Sequence, residues 1–412
     1  MQELKRIINY KRIILLLIAV TVNVVFFLYD NKPVMDEDII NKENVAHETY
    51  IKNYHEEVNA IIDNADKLKK YSIFNKAGSF SYANILQTAR DFERVKNVIL
   101  PEDEYKGVQA YTTYYYQYFF TMLVMMFVIY DMFAQRDNGM WSITYSCANG
   151  RIMYAIKQTG VIVVTGAFTH TLIYWSTFIA AMLQRGGVRD LVNPVQTIET
   201  FDKFTYPWSK IKYVTVLYLI SMVCIVALCI TIWGVFVMFR NRVYALVTML
   251  IFAAVEQFIY SHIDIHSVWN GLHYINIINI ININATFSSY RNWGVGTYVF
   301  PVFSVVLFVH IICAGVIGYI AINVSASMKP YKNTTFIKRF TDCVSAGCQK
   351  ILARIPFLFK EIHKFIFTSH CGWVVVVMLT VTAYVCQTGQ YHYTDDLSLI
   401  HISEPTRLLS IS

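Results

Sequence analysis

Charged residues are scarce in this chain. They make up 15% of its 412 residues, whereas hydrophobic residues make up 55% and aromatic residues 15%. A soluble domain of this length needs more charge on its surface and exposes less apolar area. The composition therefore excludes an ordinary soluble domain and predicts that the bilayer is the solvent.

Motifs for catalysis are also missing. The chain contains no Gly-x-x-x-x-Gly-Lys-Ser/Thr phosphate loop, and the apolar runs show no metalloprotease pattern, paired carboxylates or nucleophile with a companion base. We expect a non-catalytic chain that binds no cofactor itself, so that any ATP and Mg²⁺ would be bound by a partner. A membrane-embedded enzyme is the weakest alternative.

Cysteines do not follow the pattern of a disulfide framework. None of the eight lies in residues 31–113, and we expect no disulfide there. Cys343 and Cys348 have no histidine nearby, which argues against zinc. A second set could bind a metal if it formed a strand, but we expect an irregular or helical interfacial segment and no metal: His262, Asp264 and His266.

Seven long apolar runs are present. About 20 apolar residues cross a hydrocarbon core of roughly 30 Å. The first run is retained as an anchor, because bulky residues replace the small cleavage site of a signal peptide. The runs are Ile13–Tyr29, Tyr115–Met132, Ile152–Met182, Tyr213–Met238, Val243–Tyr260, Val299–Asn323 and Gly372–Val385.

The net charge of +7 comes from basic residues whose distribution along the chain predicts the orientation in the membrane. Lys and Arg concentrate in alternate connecting segments, and the positive-inside rule then places the N-terminus in the cytoplasm. We expect a multi-pass membrane protein that contacts lipid and does not bind nucleic acid.

Periodicity divides the chain into segments. Apolar residues recur at three and four in 31–114, which predicts an extracellular helical hairpin broken at Gly78-Ser79. Basic and apolar residues mix in 325–371, as in an amphipathic helix on the inner membrane face. The domains are 1–30 (cytoplasmic segment and first span), 31–114 (extracellular helical domain), 115–324 (spans two to six), 325–371 (basic linker), 372–396 (seventh span) and 397–412.

The C-terminal segments predict a longer native protein. Residues 361–366 before the seventh span resemble residues 3–8 before the first, which indicates two tandem six-span halves with the second one truncated. Residues Leu397–Arg407 match the translation of a common sequencing adapter. We therefore expect 397–412 to be an artefact.

Two further connections are predicted to lie outside. Leu183–Lys212 contains charges and two prolines, and we interpret it as a loop. In His262–Trp293, isoleucines alternate with asparagines at spacing three, which favours a short amphipathic or re-entrant element whose amides meet water. Compositional bias is the alternative explanation of that stripe.

Polar side chains within the runs are candidates for function. Glu256, beside Gln257, is the clearest ionisable group in an apolar run, and a carboxylate there is costly unless it faces a cavity or a partner. The alternative is that Glu256 reaches the outer interface. For His170 and His310, we expect hydrogen bonds between helices.

The segment after the second span carries an acid, a glycine, a small polar run, then Gly-Arg and a downstream lysine. It resembles the cytoplasmic coupling segment of ABC-2 type permeases, although that family usually has Glu at the first position and often Pro near Asn149. The matching positions are Asp137, Gly139, Ser146, Gly150, Arg151 and Lys157.

The resemblance covers the first six spans. It implies an all-α transmembrane domain with a helical extracellular insertion that couples to a separate ABC ATPase subunit and exports a hydrophobic or amphipathic substrate. The second permease half would be fused in the full-length chain or supplied by another copy. A membrane sensor or scaffold, with an extracellular ligand-binding hairpin and no need for an ATPase, is the alternative.

Overall fold

The structure is a computed structural model that describes residues 10–33, 37–70, 78–101, 106–137, 150–239, 241–263, 270–295 and 297–327. The described chain is mostly helical. Its helices are α1 (Tyr10–Asp30), α2 (Glu37–Leu68), α3 (Phe80–Glu93), α4 (Gly107–Thr113), α5 (Tyr116–Asp137), α6 (Gly150–Arg185), α7 (Lys210–Met238), α8 (Arg242–His262), α9 (Asn270–Tyr274), α10 (Ile277–Ile281), α11 (Ile283–Ser288) and α12 (Val302–Ala326), and its strands are β1 (Asn292–Val295) and β2 (Tyr298–Pro301).

Six of these helices, α1, α5, α6, α7, α8 and α12, are long and apolar enough to cross a membrane. Each corresponds to one of the first six predicted runs, so a multi-pass membrane protein is confirmed. The sixth helix begins at Val302, later than predicted, because the preceding residues form β2. The seventh run, the basic linker beyond residue 327 and the C-terminal segment lie outside the described residues.

Helix α7 lies at the centre of the bundle. It packs most extensively on α12, and also on α5, α6 and α8. Gly234 permits the close approach to α12, since a Cβ atom added there would overlap Ile317 Cγ2. Trp233 and Phe236 are fully buried beside this contact. In a bilayer, where lipid is as apolar as leucine, such packing holds helices together.

The insertion between α1 and α5 is helical, as its periodicity predicts. Helices α2 and α3 pack through a small core that includes Tyr54, Val58 and Phe92. At the predicted break, Gly78 has a φ of +87°, which favours glycine. Ser79 then caps α3, because its Oγ accepts a hydrogen bond from the backbone N–H of Tyr82 at 3.2 Å.

The prediction of a plain loop at Leu183–Lys212 is incomplete. Three 3₁₀ turns, Arg189–Val192, Val195–Thr197 and Glu199–Phe201, fold this segment into a compact cap. The buried Gln196 amide Nε2 organises it by donating to the carbonyl oxygens of Phe204 at 3.0 Å and Tyr206 at 2.7 Å. Buried backbone groups need such partners.

The single interfacial element predicted at His262–Trp293 is also wrong in detail. The described part of this segment forms three short helices and leads into the antiparallel β1–β2 hairpin, which the all-α prediction did not include. The asparagine amides do not all meet water: Asn276 is buried and caps α10, and Asn279 donates to the carbonyl oxygens of His273 and Tyr274. The stripe therefore holds successive helix ends together.

The glycine contact between α7 and α12 yields a stability prediction. We expect Gly234→Ala to destabilise the protein by about 1–3 kcal/mol, because the added methyl overlaps Ile317 at the helix contact. This loss opposes the helix propensity gained from alanine. Thermal unfolding in detergent measures it.

Gly315→Ala is the matched control, since an added Cβ there has no neighbour within 4 Å. The double variant Gly234→Ala/Ile317→Ala should recover part of the loss. Equal melting temperatures for Gly234→Ala and Gly315→Ala would contradict the packing account.

Candidate functional site

The residues predicted to couple to an ATPase flank one connection. Asp137 is the last residue of α5, and Gly150 and Arg151 open α6. Lys157 lies two turns into α6 and is exposed. Gly139 and Ser146 lie outside the described residues. The structure therefore describes the two ends of the predicted coupling segment, which lie in α5 and α6.

Helix α6 is longer than a direct crossing requires. Its 36 residues extend roughly 54 Å at about 1.5 Å per residue, against a hydrocarbon core of about 30 Å. The first turns of α6 can therefore extend beyond the hydrocarbon core of the bilayer. Here Ile152, Met153 and Ile156 are exposed next to Lys157, a combination typical of a surface that contacts a partner or lipid headgroups.

Further basic side chains lie at the membrane face where α1 begins and α5 ends. The Arg12 guanidinium donates to the Asp131 carboxylate and ties α1 to α5. The guanidinium of Arg242, at the start of α8, lies 4.5 Å from the ring centroid of Tyr130. Since α6 follows α5 by one connection, Arg151 begins its span at this same face.

Glu256 is a capping residue in this structure. Its Oε2 accepts a hydrogen bond from the backbone N–H of Ile277, at 3.1 Å, at the start of α10. Its own carbonyl oxygen accepts one from Asn276 Nδ2 at 2.7 Å. A carboxylate at a helix N-terminus is favourable because the first amides lack partners within the helix. Gln257 is half-buried beside it.

Glu256 therefore joins α8 to the short helices that follow it. The electrostatic field of its carboxylate also reaches His310 on α12. His310 Nδ1, however, bonds to the Val306 carbonyl in its own helix at 2.8 Å, so the predicted bond between helices is wrong for this histidine. The capping role had no sequence signal, because its partner is a backbone amide.

His170 does form the predicted bond between helices. Its Nε2 lies 2.8 Å from Ser221 Oγ on α7. Two tyrosine rings stack on its imidazole, Tyr118 from α5 and Tyr218 from α7, each with a centroid distance of 5.9 Å. The hydroxyl of Tyr174 donates to the Val214 carbonyl at 2.7 Å nearby. A buried polar and aromatic cluster thus joins three spans.

A second buried contact in the same region was missed from sequence. Asn23 Nδ2 on α1 donates to Thr177 Oγ1 on α6 at 2.7 Å, and Asn23 Oδ1 accepts from the Tyr114 hydroxyl at 3.0 Å. A lone asparagine in an apolar run and the tyrosine-rich residues 111–118 were the available signals. Such side chains bond across helices in hydrocarbon.

At the end of the bundle opposite to where α1 begins and α5 ends, α2 contacts the 3₁₀ cap. The Tyr50 hydroxyl donates to the Gln196 carbonyl at 2.8 Å, and His47 Nδ1 lies 3.8 Å from a Glu199 carboxylate oxygen. Burial raises the pKa of Asp202, which the adjacent Lys203 partly offsets. Burial also raises the pKa of Glu57, and the charge of Asp202 adds to that effect.

Helix α3 contacts the β1–β2 hairpin. The Tyr290 hydroxyl donates to the Asp91 carboxylate at 3.0 Å, and Asn292 Nδ2 donates to Asn84 Oδ1 at 2.9 Å. Burial raises the pKa of Tyr290 to about 12, so that this donor keeps its proton near neutral pH. Because β2 runs directly into α12, the insertion is bonded to the segments that lead into both α7 and α12.

Metal ligation finds no support among the residues that can be described, where no three His, Cys, Asp or Glu side chains cluster suitably. The ring of His262 stacks on Phe258 with centroids 4.1 Å apart. Asp264 and His266 lie outside the described residues, as do Cys343 and Cys348.

Comparisons with protein-family models, with curated proteins and with solved structures give no match. The geometry and chemistry of these residues are therefore the basis for a proposed function.

The Glu256 cap gives a prediction about stability. We expect Glu256→Ala to lower stability by about 1 kcal/mol, because the Ile277 amide loses its acceptor. Glu256→Gln keeps an oxygen acceptor and should cost much less. Thermal unfolding of both variants measures the difference, and an equal loss in the two would show that the negative charge itself is required.

The raised pKa values at the insertion predict a pH dependence. The folded state holds protons on Asp202 and Glu57 more tightly than the unfolded state does. Their contribution is therefore fully present below the ordinary carboxyl pKa of about 4 and is lost as pH rises through the raised values. We expect slower protease cleavage of α2 at pH 5 than at pH 8.

Asp202→Asn tests the origin of that dependence. The amide oxygen can still accept the hydrogen bond that Lys203 N–H gives to Asp202 Oδ1 at 2.8 Å, while the titrating charge is removed. Cleavage at pH 8 should slow and the difference between the two pH values should shrink. An unchanged pH profile would assign the effect to other groups.

Proposed function

We propose that this chain is the membrane-spanning subunit of an ABC-2 type transporter, which exports a hydrophobic or amphipathic substrate with ATP hydrolysed by a separate subunit. It would lie in a bacterial plasma membrane with its N-terminus in the cytoplasm. The observation that carries the proposal is the position of Arg151 and Lys157 on the first turns of a helix much longer than a direct crossing requires.

The basic residues at the end of the bundle where α1 begins support an orientation with the N-terminus in the cytoplasm. Arg12, Arg151 and Arg242 all belong to the face where α1 begins and α5 ends. An excess of Lys and Arg marks the cytoplasmic side of a membrane protein. The insertion at 37–100 would then be extracellular, and an ATPase would dock on the basic end.

Helix α6 is suited to transmit movement. It is unbroken from Gly150 to Arg185. At its far end, Arg185 donates hydrogen bonds to the carbonyl oxygens of Asn31 at 3.1 Å and Lys32 at 2.9 Å. A displacement of the basic end by a docked ATPase would therefore reach α1 and the root of the insertion through one rigid element.

The alternative function is a membrane sensor or scaffold whose insertion binds an extracellular ligand. The specific observation that favours it is the bonding of α2 and α3 to the segments that lead into α7 and α12. A ligand on the insertion would then act on the spans without an ATPase. A permease requires the basic end of α6, whereas a sensor of this kind does not.

Charge reversal at the basic end tests the proposal. We expect Arg151→Glu/Lys157→Glu to lower recovery of a P-loop ATPase with the tagged chain from its native host at least tenfold, and to abolish ATP hydrolysis by the complex in nanodiscs. The reason is that an acidic pair would repel the partner surface that the basic pair attracts.

Lys52→Glu is the matched control, because this lysine is highly exposed on α2 at the other end of the bundle. Normal membrane insertion of both variants must be verified by fractionation. Recovery of the ATPase with the double variant at the level of Lys52→Glu would contradict the permease and favour the sensor.

A further inference from the structure

Helix α8 is the least buried of the six spans that the structure describes. All of its residues are described, and Ala245 is the one buried residue among them. A span at the edge of a bundle exposes its outer side to lipid and packs with its inner side. For α8, however, the exposure continues onto the inner side.

Both ends of α8 are attached to the protein. Near its start, Ala245 is fully buried against α5 and α7, and Met249 packs on the same core cluster. Near its end, the Glu256 carboxylate accepts the hydrogen bond from the Ile277 amide at 3.1 Å. These contacts define the side of α8 that faces the protein.

Helix geometry extends that inner side through the middle of the span. At about 100° per residue, Ala245, Met249 and Glu256 lie within roughly 40° of one another around the helix. Between Met249 and Glu256, the residues nearest to this direction are Phe252 and Ala253. Both are exposed, and Phe252 keeps 41% of its accessible surface. The inner side of α8 therefore loses contact with the protein over this stretch.

The same stretch is exposed in every other direction. All five residues from Ile251 to Val255 are exposed, and five consecutive helical side chains point around the full circumference. An exposed side chain has free space beside it at least as wide as a water molecule. A gap therefore separates this part of α8 from the neighbouring spans. From Met249 to Glu256 its height is roughly 10 Å, at about 1.5 Å per residue.

The side of the gap that α8 forms is apolar. Its five residues are isoleucine, phenylalanine, two alanines and valine, and backbone groups in a helix interior are bonded to one another. Water would find no hydrogen-bond partner on this wall. Phe252 also lies at the middle of the 21-residue span, at the depth of the hydrocarbon core. The chemistry and the depth both favour a lipid acyl chain.

A second protein helix fits this gap poorly. A helix with its side chains is about 10 Å wide. To cross the membrane along the inner side of α8, it would have to pass the contacts at Ala245 and Glu256, which close the gap on both sides. An acyl chain is much thinner and flexible, and it can enter sideways from the lipid that surrounds the outer side of α8.

We propose that an acyl chain of a membrane phospholipid binds between α8 and the rest of the bundle, against Phe252 and Ala253. The lipid completes the packing that the protein leaves open in the middle of this span. Such a site would exist in a permease and in a sensor alike, because it requires neither an ATPase nor a substrate.

Enlarging an alanine on α8 tests for the gap. We expect Ala253→Leu to leave the melting temperature of the full chain in lipid nanodiscs nearly unchanged, because the added carbons enter free space. Ala245→Leu is the matched variant, since Ala245 is fully buried. There the added carbons overlap the neighbouring spans and should lower the melting temperature by several degrees. Equal losses in the two variants would show that α8 is packed at both positions and would overturn the proposal.

Photo-crosslinking identifies the occupant. The full chain carries p-benzoylphenylalanine in place of Phe252 or of Ala253 and is reconstituted in vesicles of palmitoyl-oleoyl phosphatidylglycerol. On illumination, the ketone attaches to a C–H bond of the molecule beside it, and peptide mass spectrometry gives the mass of the adduct. We expect one phospholipid, attached through its acyl chain, at both positions. Because these two residues flank the inner side of α8, adducts at both locate the chain between them.

Met249→p-benzoylphenylalanine is the internal control, one turn earlier on the same side. Met249 packs on the core cluster, so the label there should attach to a peptide of a neighbouring span. An adduct from Phe252 or Ala253 to another span of the same chain would show that α8 is closed against the bundle. An adduct between two chains would show a second copy in the gap. Either result, or the absence of any adduct, would overturn the lipid site.

Discussion

Close packing around α7 is the constraint on which the rest of the bundle depends. Helices α5, α6, α8 and α12 all contact α7, and lipid provides no hydrophobic force that would favour these contacts over contacts with acyl chains. Packing and internal hydrogen bonds must supply the stability. At α12 the packing is glycine-mediated, since Gly234 and Gly318 leave room for Ile317 and Ile230.

The contact between α6 and α7 is built differently. Three polar bonds cross it: His170 to Ser221 at 2.8 Å, Thr171 to Tyr218 at 2.7 Å, and Tyr174 to the Val214 carbonyl at 2.7 Å. The same two helices leave His170 Nδ1 without a partner. This interface therefore concentrates the polar atoms that hydrocarbon does not solvate.

The positions of the spans and the helices of the insertion could be predicted from sequence, because hydropathy and helical periodicity are local properties. The contacts that organise the ends could not. Asp91 meets Tyr290, and Tyr50 meets the Gln196 carbonyl, across large sequence separations. Neither residue pair carries a motif, and the partner of Tyr50 is a backbone atom.

The candidate sites also divide into features that the local sequence reveals and contacts that it does not. Glu256 is recognisable as an expensive carboxylate in an apolar run, yet its role depends on where α10 begins, which isoleucine and asparagine repeats do not reveal. The hairpin after α11 was missed because its strands are only four residues each. For the coupling segment, the pattern of residue types was the source of the prediction, and the structure adds the place of Arg151 and Lys157 on α6.

These two kinds of interface would respond differently to a displacement of α6. Side chains that interlock around glycines resist sliding, because every displaced methyl meets backbone or side-chain atoms at once. Hydrogen bonds across α6 and α7 can be exchanged for bonds to water or to another polar group at little net cost. If a docked partner displaces the basic end of α6, as the proposed function requires, the movement should therefore occur at the α6–α7 interface, beside His170, while α7 and α12 move together as one unit.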